Sequence, residues 1–255
     1  MTTSAGLKAA LAACATSDTL LIATDFDGVL APLVQDPLQS RALPGTLETL
    51  EELAALPATH AAVVSGRDLD TLTSLTGLAA SSVTRIGSHG AESSGEDAAE
   101  ALEDDQSATL DALVADLAPV VAAHPGSGLE YKPSAVVLHT RGMEGGKAAP
   151  AEAAALEVAS RHTEVHVLHG KHVVEISVVK ADKGTALMRL RDAVGADCVV
   201  YFGDDVTDED VFRLLSAHDV GVKVGDGTTA ATHRVARPED VASALTDLLA
   251  ARRAR

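Results

Sequence analysis

Short, almost unbroken apolar runs rich in β-branched residues recur along this chain, separated by Ala-rich amphipathic stretches. Leu20–Thr24, 61–64 and 83–86 are three such runs, with helical patterns at 45–56 and 68–75 between them. A strand exposed on one face alternates apolar and polar residues; one that is apolar throughout is covered on both faces, as in a parallel sheet flanked by helices. The repetition therefore predicts an α/β architecture with a Rossmann-like parallel sheet.

The rhythm changes after Gly90. An acidic stretch containing Ser and Gly, 92–105, reads as a solvated hinge. A helix is expected at 108–123, followed by strands Gly128–Lys132 and Ala135–His139 around a Lys132-Pro133-Ser134 turn. A second helix, 151–161, precedes strands 165–168 and 172–177 around His169-Gly170-Lys171. This αββαββ order predicts antiparallel hairpins in a small α+β module. From Lys183 the first rhythm returns, with a helix at 184–194, a strand at 198–202, a helix at 209–215, a strand at Val220–Val224 and a helix at 238–251. The expected organisation is a core of residues 1–91 and 180–255 interrupted by an inserted cap, 92–179. The basic tail Arg252 to Arg255 is expected to be a solvated terminus.

Composition excludes several classes. With 20 Lys plus Arg against 37 Asp plus Glu, the net charge is −17, which disfavours nucleic acid and anionic membranes as partners. A hydrophobic content of 46% is too high for a disordered acidic chain, and no apolar run is long enough for a membrane span. The start lacks a basic segment followed by an apolar one, so a cytoplasmic protein is expected. Cys14 and Cys198 each sit in apolar surroundings and read as two reduced core thiols. With no Trp, two Tyr and three Phe, interface anchors are few, and a monomer is expected.

The chemistry-bearing residues cluster where the apolar runs end. Leu20–Thr24 runs into Asp25-Phe26-Asp27-Gly28, placing two carboxylates at the carboxyl end of a strand, where open α/β sheets bind ligands. An Asp there can attack phosphorus, and a second one two residues on can protonate the leaving oxygen. The tetrapeptide alone also reads as a turn. The run at 198–202 ends in Gly203-Asp204-Asp205-Val206-Thr207-Asp208-Glu209-Asp210. So many carboxylates suit a hard cation such as Mg²⁺. An acidic helix start accounts for Asp208, Glu209 and Asp210, with Thr207 or Asp208 as the cap, but explains Asp204 and Asp205 less well. Ser65-Gly66-Arg67 offers a hydroxyl and backbone N–H groups to a phosphoryl oxygen. Lys183, at a helix start that the dipole makes unfavourable, offers a cation to charge developing on that group.

In this order, DxDG, Ser, Lys and GDD resemble the haloacid dehalogenase superfamily of phosphotransferases, and the inserted module lies where that superfamily carries a mixed α/β cap. Within it the chain is most similar to the trehalose-phosphate phosphatases, through Gly87-Ser88-His89-Gly90-Ala91-Glu92, Glu130-Tyr131-Lys132 with His139-Thr140-Arg141, Gly170-Lys171-His172-Val173-Val174-Glu175-Ile176 and the Gly203–Asp210 segment. The resemblance implies a Mg²⁺-dependent enzyme that hydrolyses trehalose 6-phosphate. Asp25 is then the nucleophile and Asp27 the general acid and later base. Mg²⁺ is held by Asp25, the Asp27 carbonyl and Asp204, with Asp205 and Asp208 behind them, and Ser65 and Lys183 grip the phosphoryl oxygens. Glu130, Lys132, Lys171 and Glu175 fall on the sugar-recognition positions of a closing cap, and Arg67, His89 and Arg141 join them as substrate-binding candidates. A polar face of a half-exposed hairpin sheet is the competing account of the cap residues.

Three positions depart from that pattern: Val29 stands where Thr is usual, and Ser177 and Val178 stand where a basic residue and Pro are usual. The net charge should repel an anionic substrate, so Mg²⁺, Lys183, Lys132, Lys171 and Arg67 are expected to reverse the field locally. The alternatives are a related phosphatase of sucrose 6-phosphate or mannosyl-3-phosphoglycerate and, from another class, a phospho-receiver module without turnover. A dinucleotide site at Gly225-Asp226-Gly227 lacks the third glycine of its motif.

Overall fold

The computed structural model describes residues 4–95, 102–143, 146–170, 172–180 and 182–255. The chain forms two compact units, Met1–Ala99 with Ala181–Arg255, and Glu100–Lys180. In chain order the first begins with α1 (Ala5–Cys14), β1 (Leu20–Thr24), α2 (Thr46–Ala54), β2 (Thr59–Val64), α3 (Leu69–Thr76), β3 (Thr84–Gly87) and β4 (Glu92–Ser93). The second contains α4 (Asp104–Ala123), β5 (Gly128–Lys132), β6 (Ala135–His139), α5 (Ala148–Ala159), β7 (His166–Gly170) and β8 (Val173–Ser177). The first resumes with α6 (Lys183–Val194), β9 (Cys198–Gly203), α7 (Asp208–Leu214), β10 (Val220–Val224), β11 (His233–Val235) and α8 (Pro238–Arg253).

The first unit is built on a seven-stranded sheet in the order β11-β10-β9-β1-β2-β3-β4, parallel except for the β3–β4 pair. Alternate residues of the central strands go to opposite faces. Ile22, Val63, Val200 and Phe202 pack with Leu7, Leu11, Leu50 and Leu72 and with the α8 residues Leu245 and Leu248. Leu21, Ala23, Val64, Val199 and Tyr201 pack with Leu187 of α6 and Phe212 of α7. Both faces are thus covered, which is why these strands read as uniformly apolar. Strand order reverses at the β1–β9 pair, since β1 leads outward to β2 and β9 outward to β10. In open α/β sheets that reversal opens a crevice at the strand carboxyl ends.

The second unit is a four-stranded antiparallel sheet, β5-β6-β8-β7. Val136, Leu138, Val174 and Ile176 line its buried face, packed with Leu113 and Leu117 of α4 and Ala151, Ala155 and Val158 of α5. Glu130, Val137 and Glu175 are cross-strand partners in one row.

Two expectations are corrected. The stretch 92–105 is not a hinge throughout: Glu92–Ser93 pairs with β3, and Asp104 and Asp105 begin α4, while 96–101 lie outside the described residues. The basic tail is not a solvated terminus. Arg252 is buried and donates to the carbonyls of Ala15, Ser17, Asp18 and Ala58 and to Thr59 Oγ1 at 2.6–3.2 Å, while Arg253 and Arg255 pair with Glu52 and Asp18. The Gly225-Asp226-Gly227 segment is a turn whose carbonyls accept from Arg234. Among the described residues no helix is long and apolar enough to cross a membrane.

Removing the Arg252 guanidinium strands several buried acceptors at the amino-terminal ends of β1 and β2. Arg252→Ala is expected to cost about 2–4 kcal/mol of stability, read as a lower denaturation midpoint in urea at unchanged slope.

Candidate active site

At the β1–β9 reversal the ladder carries two acids off the sheet. Asp25 N–H donates to the Phe202 carbonyl at 2.8 Å, so Asp25 continues the register of β1 beside the end of β9. Its side chain is buried; Oδ1 accepts from Phe26 N–H at 2.6 Å and Oδ2 from Lys183 Nζ at 2.6 Å. Lys183 opens α6, whose N-cap is Asp182. Its ammonium, 2% exposed, also donates to Asp208 Oδ1 at 2.8 Å. The unfavourable helix-start position is thus compensated by two buried carboxylates.

Asp208 stands in the first turn of α7, as the acidic helix start leads one to expect. It is fully buried there; Oδ1 also accepts from Tyr201 Oη at 2.7 Å, and Oδ2 accepts from the N–H groups of Asp204 and Asp205 at 2.8 and 2.9 Å. It holds both the lysine and the loop that follows β9. Glu209 is buried too, accepting from Ala230 N–H at 2.8 Å. Gly203 and Gly28 make this closeness possible. A side chain at Gly203 would come within 2.4 Å of Asp208, and one at Gly28 within 2.0 Å of the Asp204 carboxylate, while Gly28 also turns at φ +77°.

Asp25, Asp204 and Asp208 each bring a carboxylate oxygen within 4.8 Å of the others. Asp205 is exposed, and its Oδ1 accepts from Val206 N–H at 2.7 Å. Burial pushes the Asp25 carboxyl up to about 8, with Asp208 and Asp204 adding to the rise and Lys183 opposing it. Burial likewise raises Asp204 to about 6, with Asp208 adding. For Asp208, burial is outweighed by the Lys183 charge and by hydrogen bonds, which hold it below the usual range. Lys183 is raised because Asp25 and Asp208 outweigh its own burial. Burial and crowding thus make Asp25 and Asp204 costly to ionise together, a cost that a divalent cation would relieve.

Asp27 is engaged differently. Arg67 donates to it through both Nε and a terminal nitrogen, at 2.6 and 2.8 Å, and Ser40 Oγ donates at 2.8 Å. Ser65, buried at the end of β2, accepts from Arg67 N–H at 3.2 Å. His89 has left-handed backbone at φ +54°, and its N–H donates to the Ser65 carbonyl at 3.0 Å. Val29 is buried in the core.

In the second unit Lys132 Nζ meets Glu175 Oε2 at 2.8 Å, Glu130 meets His139 Nε2 at 2.6 Å, and Arg141 is exposed. Lys171 lies outside the described residues. Lys183, Arg67 and Lys132 are each paired with a carboxylate.

Sequence reasoning missed Tyr201, Ser40 and Lys223. Lys223 is buried in β10 and donates to the Asp204 carbonyl. A lone charge within the apolar run Val220–Val224 was the signal for it.

The trehalose-phosphatase family model matches residues 23–243. Trehalose-phosphate phosphatase of Mycobacterium tuberculosis is 35% identical over 240 residues, covering 89% of this chain; the chain spans 60% of that relative's length. A structure of Aspergillus fumigatus trehalose-6-phosphate phosphatase superposes with a TM-score of 0.70 at 27% identity, covering 95% of this chain and 97% of the other. The C-terminal domain of C. albicans trehalose-6-phosphate phosphatase shares the fold with a TM-score of 0.76 at 23% identity, over 98% of each chain. With acids, hydroxyl and lysine gathered at the reversal of a parallel sheet that carries an α+β insertion, and with the match spanning nearly the whole chain, this protein belongs to the trehalose-phosphatase family.

Proposed function

We propose that this chain hydrolyses trehalose 6-phosphate to trehalose and inorganic phosphate, with Mg²⁺ bound and the phosphoryl group carried in passing on Asp25. The observation that carries the proposal is the placement of Asp25: buried at the end of β1, held on Lys183, and next to Asp204 in a family-matched chain.

Asp208 is saturated by Lys183, Tyr201 and two backbone N–H groups. Asp25 and Asp204, with the Asp27 carbonyl, are therefore the oxygens that would hold the metal, and an all-oxygen set suits Mg²⁺. When bound, that cation supplies the positive charge that draws an anionic substrate to an otherwise acidic site.

The chemistry of the chain's own residues follows. An Asp25 oxygen attacks phosphorus, and the bond to the sugar oxygen breaks as Asp27 delivers a proton to it. Asp27 must exchange Arg67 and Ser40 for the leaving oxygen, so these two position its carboxyl between steps. Water then attacks the phosphoryl group, Asp27 takes a proton from it, and phosphate leaves Asp25. Lys183 and Ser65 hold the phosphoryl oxygens throughout. Residues 92–179 serve sugar recognition through Glu130, Lys132, Lys171 and Glu175, with His89 and Arg141 as further contacts. We further propose a cytoplasmic location.

Four outcomes are expected. Phosphate release is fastest from trehalose 6-phosphate against sucrose 6-phosphate, mannosyl-3-phosphoglycerate and glucose 6-phosphate, and a chelator abolishes it; preference for another member of the panel would overturn the substrate assignment. Asp25→Asn lowers kcat by about a thousand-fold or more while thermal unfolding stays cooperative. Mg²⁺ raises the Tm of the wild-type chain, a shift that Asp204→Asn removes. Glu130→Gln and Glu175→Gln each raise KM for trehalose 6-phosphate about tenfold, one lost charge-assisted hydrogen bond, and leave p-nitrophenyl phosphate turnover unchanged.

A further inference from the structure

We propose that Cys14 and Cys198 are a modification site, a dithiol that a peroxide converts reversibly into a disulfide. The two cysteines are 184 positions apart, the first ending α1 and the second opening β9. Both are buried, and their sulfurs lie 2.6 Å apart. That is longer than a disulfide bond of about 2.05 Å but well inside the van der Waals contact of two sulfurs, so little movement separates the dithiol from the bonded pair. Both also approach one acceptor, the His218 carbonyl, at 3.2 Å for Cys198 and 3.8 Å for Cys14.

Two thiols held together in a sealed core would still be inert. Here they line a cavity of about 450 Å³, together with Ala13, Ser17, His218 and His233. Peroxide is small enough to enter it. The site is at the amino-terminal end of β9, whereas Asp204 follows the carboxyl-terminal end, so the pair stands apart from the acidic cluster. The Cys198 thiol donates to Cys14 and thereby holds Cys14 below the ordinary thiol range, while Cys198 is raised. Cys14 is accordingly the attacking sulfur.

The step balances with hydrogen peroxide as the oxidant. The Cys14 thiolate attacks one peroxide oxygen; the O–O bond breaks, the leaving hydroxide takes up the proton that the Cys14 thiol gave up, and sulfenic acid and water form. Cys198 then attacks that sulfur, the S–O bond breaks, and a second water leaves with the proton from Cys198. Overall two thiols and one peroxide give one disulfide and two waters. The crosslink ties α1 to the central sheet and restricts the unfolded chain.

The test treats the folded wild-type chain with hydrogen peroxide, then denatures it, blocks free thiols and maps peptides without reduction. Both thiols should be lost together, a Cys14–Cys198 linked peptide should appear in monomeric protein, Tm should rise, and dithiothreitol should reverse all three. In Cys198→Ser, dimedone should trap a sulfenic acid at Cys14 and no linked peptide should form. Persistence of both free thiols in wild-type protein, separate oxidation of each to sulfinic acid, or linkage only between chains would overturn the proposal.

Discussion

The Lys183 ammonium is buried between Asp25 and Asp208, and the arrangement around it depends on that contact. Burying an isolated charge is prohibitive, and a buried pair breaks even only when every remaining donor and acceptor is met. Asp208 meets this condition with Tyr201 and the N–H groups of Asp204 and Asp205; Asp25 does so with Phe26 N–H. Four elements are thereby tied at one point: β1, β9, α6 and α7. Asp204 adds a further carboxylate, and the nearby Lys223 donates to its backbone carbonyl and lies 4.0 Å from Glu209. A site that is stable as protein, yet in which Asp25 and Asp204 are costly to ionise together, has the electrostatics for holding a metal before an anionic substrate.

The fold delivers this cluster through connectivity. The second unit interrupts the sheet between β4 and α6, so Asp25 from the first segment and Lys183, Asp204 and Asp208 from the last meet only because β1 and β9 are neighbours. The insertion can then vary without disturbing the acids, which all belong to the first unit.

Much of this was legible in the sequence because burial on both faces leaves a compositional mark. The bounds expected for β1, β5, β6 and β10 are those observed, and the two-unit order follows from the change of rhythm. The strand end at Asp25 and the cation placed against a helix dipole at Lys183 were local signals that marked the two residues, while the roles expected of them came with the family resemblance. Local pattern alone did not show the burial of Asp208, because an acid in the first turn of a helix is favoured whether it faces water or a buried lysine; only the family resemblance set it near the metal ligands. Arg252 failed for a similar reason, since its acceptors are backbone carbonyls about 190 to 240 positions earlier. α1 was overlooked although Leu7, Leu11 and Cys14 recur at helical spacing behind the Ser4 cap. β11 and β4, at three and two residues, are too short to show a period.

The central claim is that the carboxylate held by Lys183 receives the phosphoryl group. Mixing the enzyme with trehalose 6-phosphate and Mg²⁺, quenching in acid during turnover, and reducing with borohydride converts an acyl phosphate to the corresponding alcohol. Peptide mass spectrometry should then find homoserine at position 25. Modification at another acid, or none in samples quenched while phosphate is being released, would contradict the account.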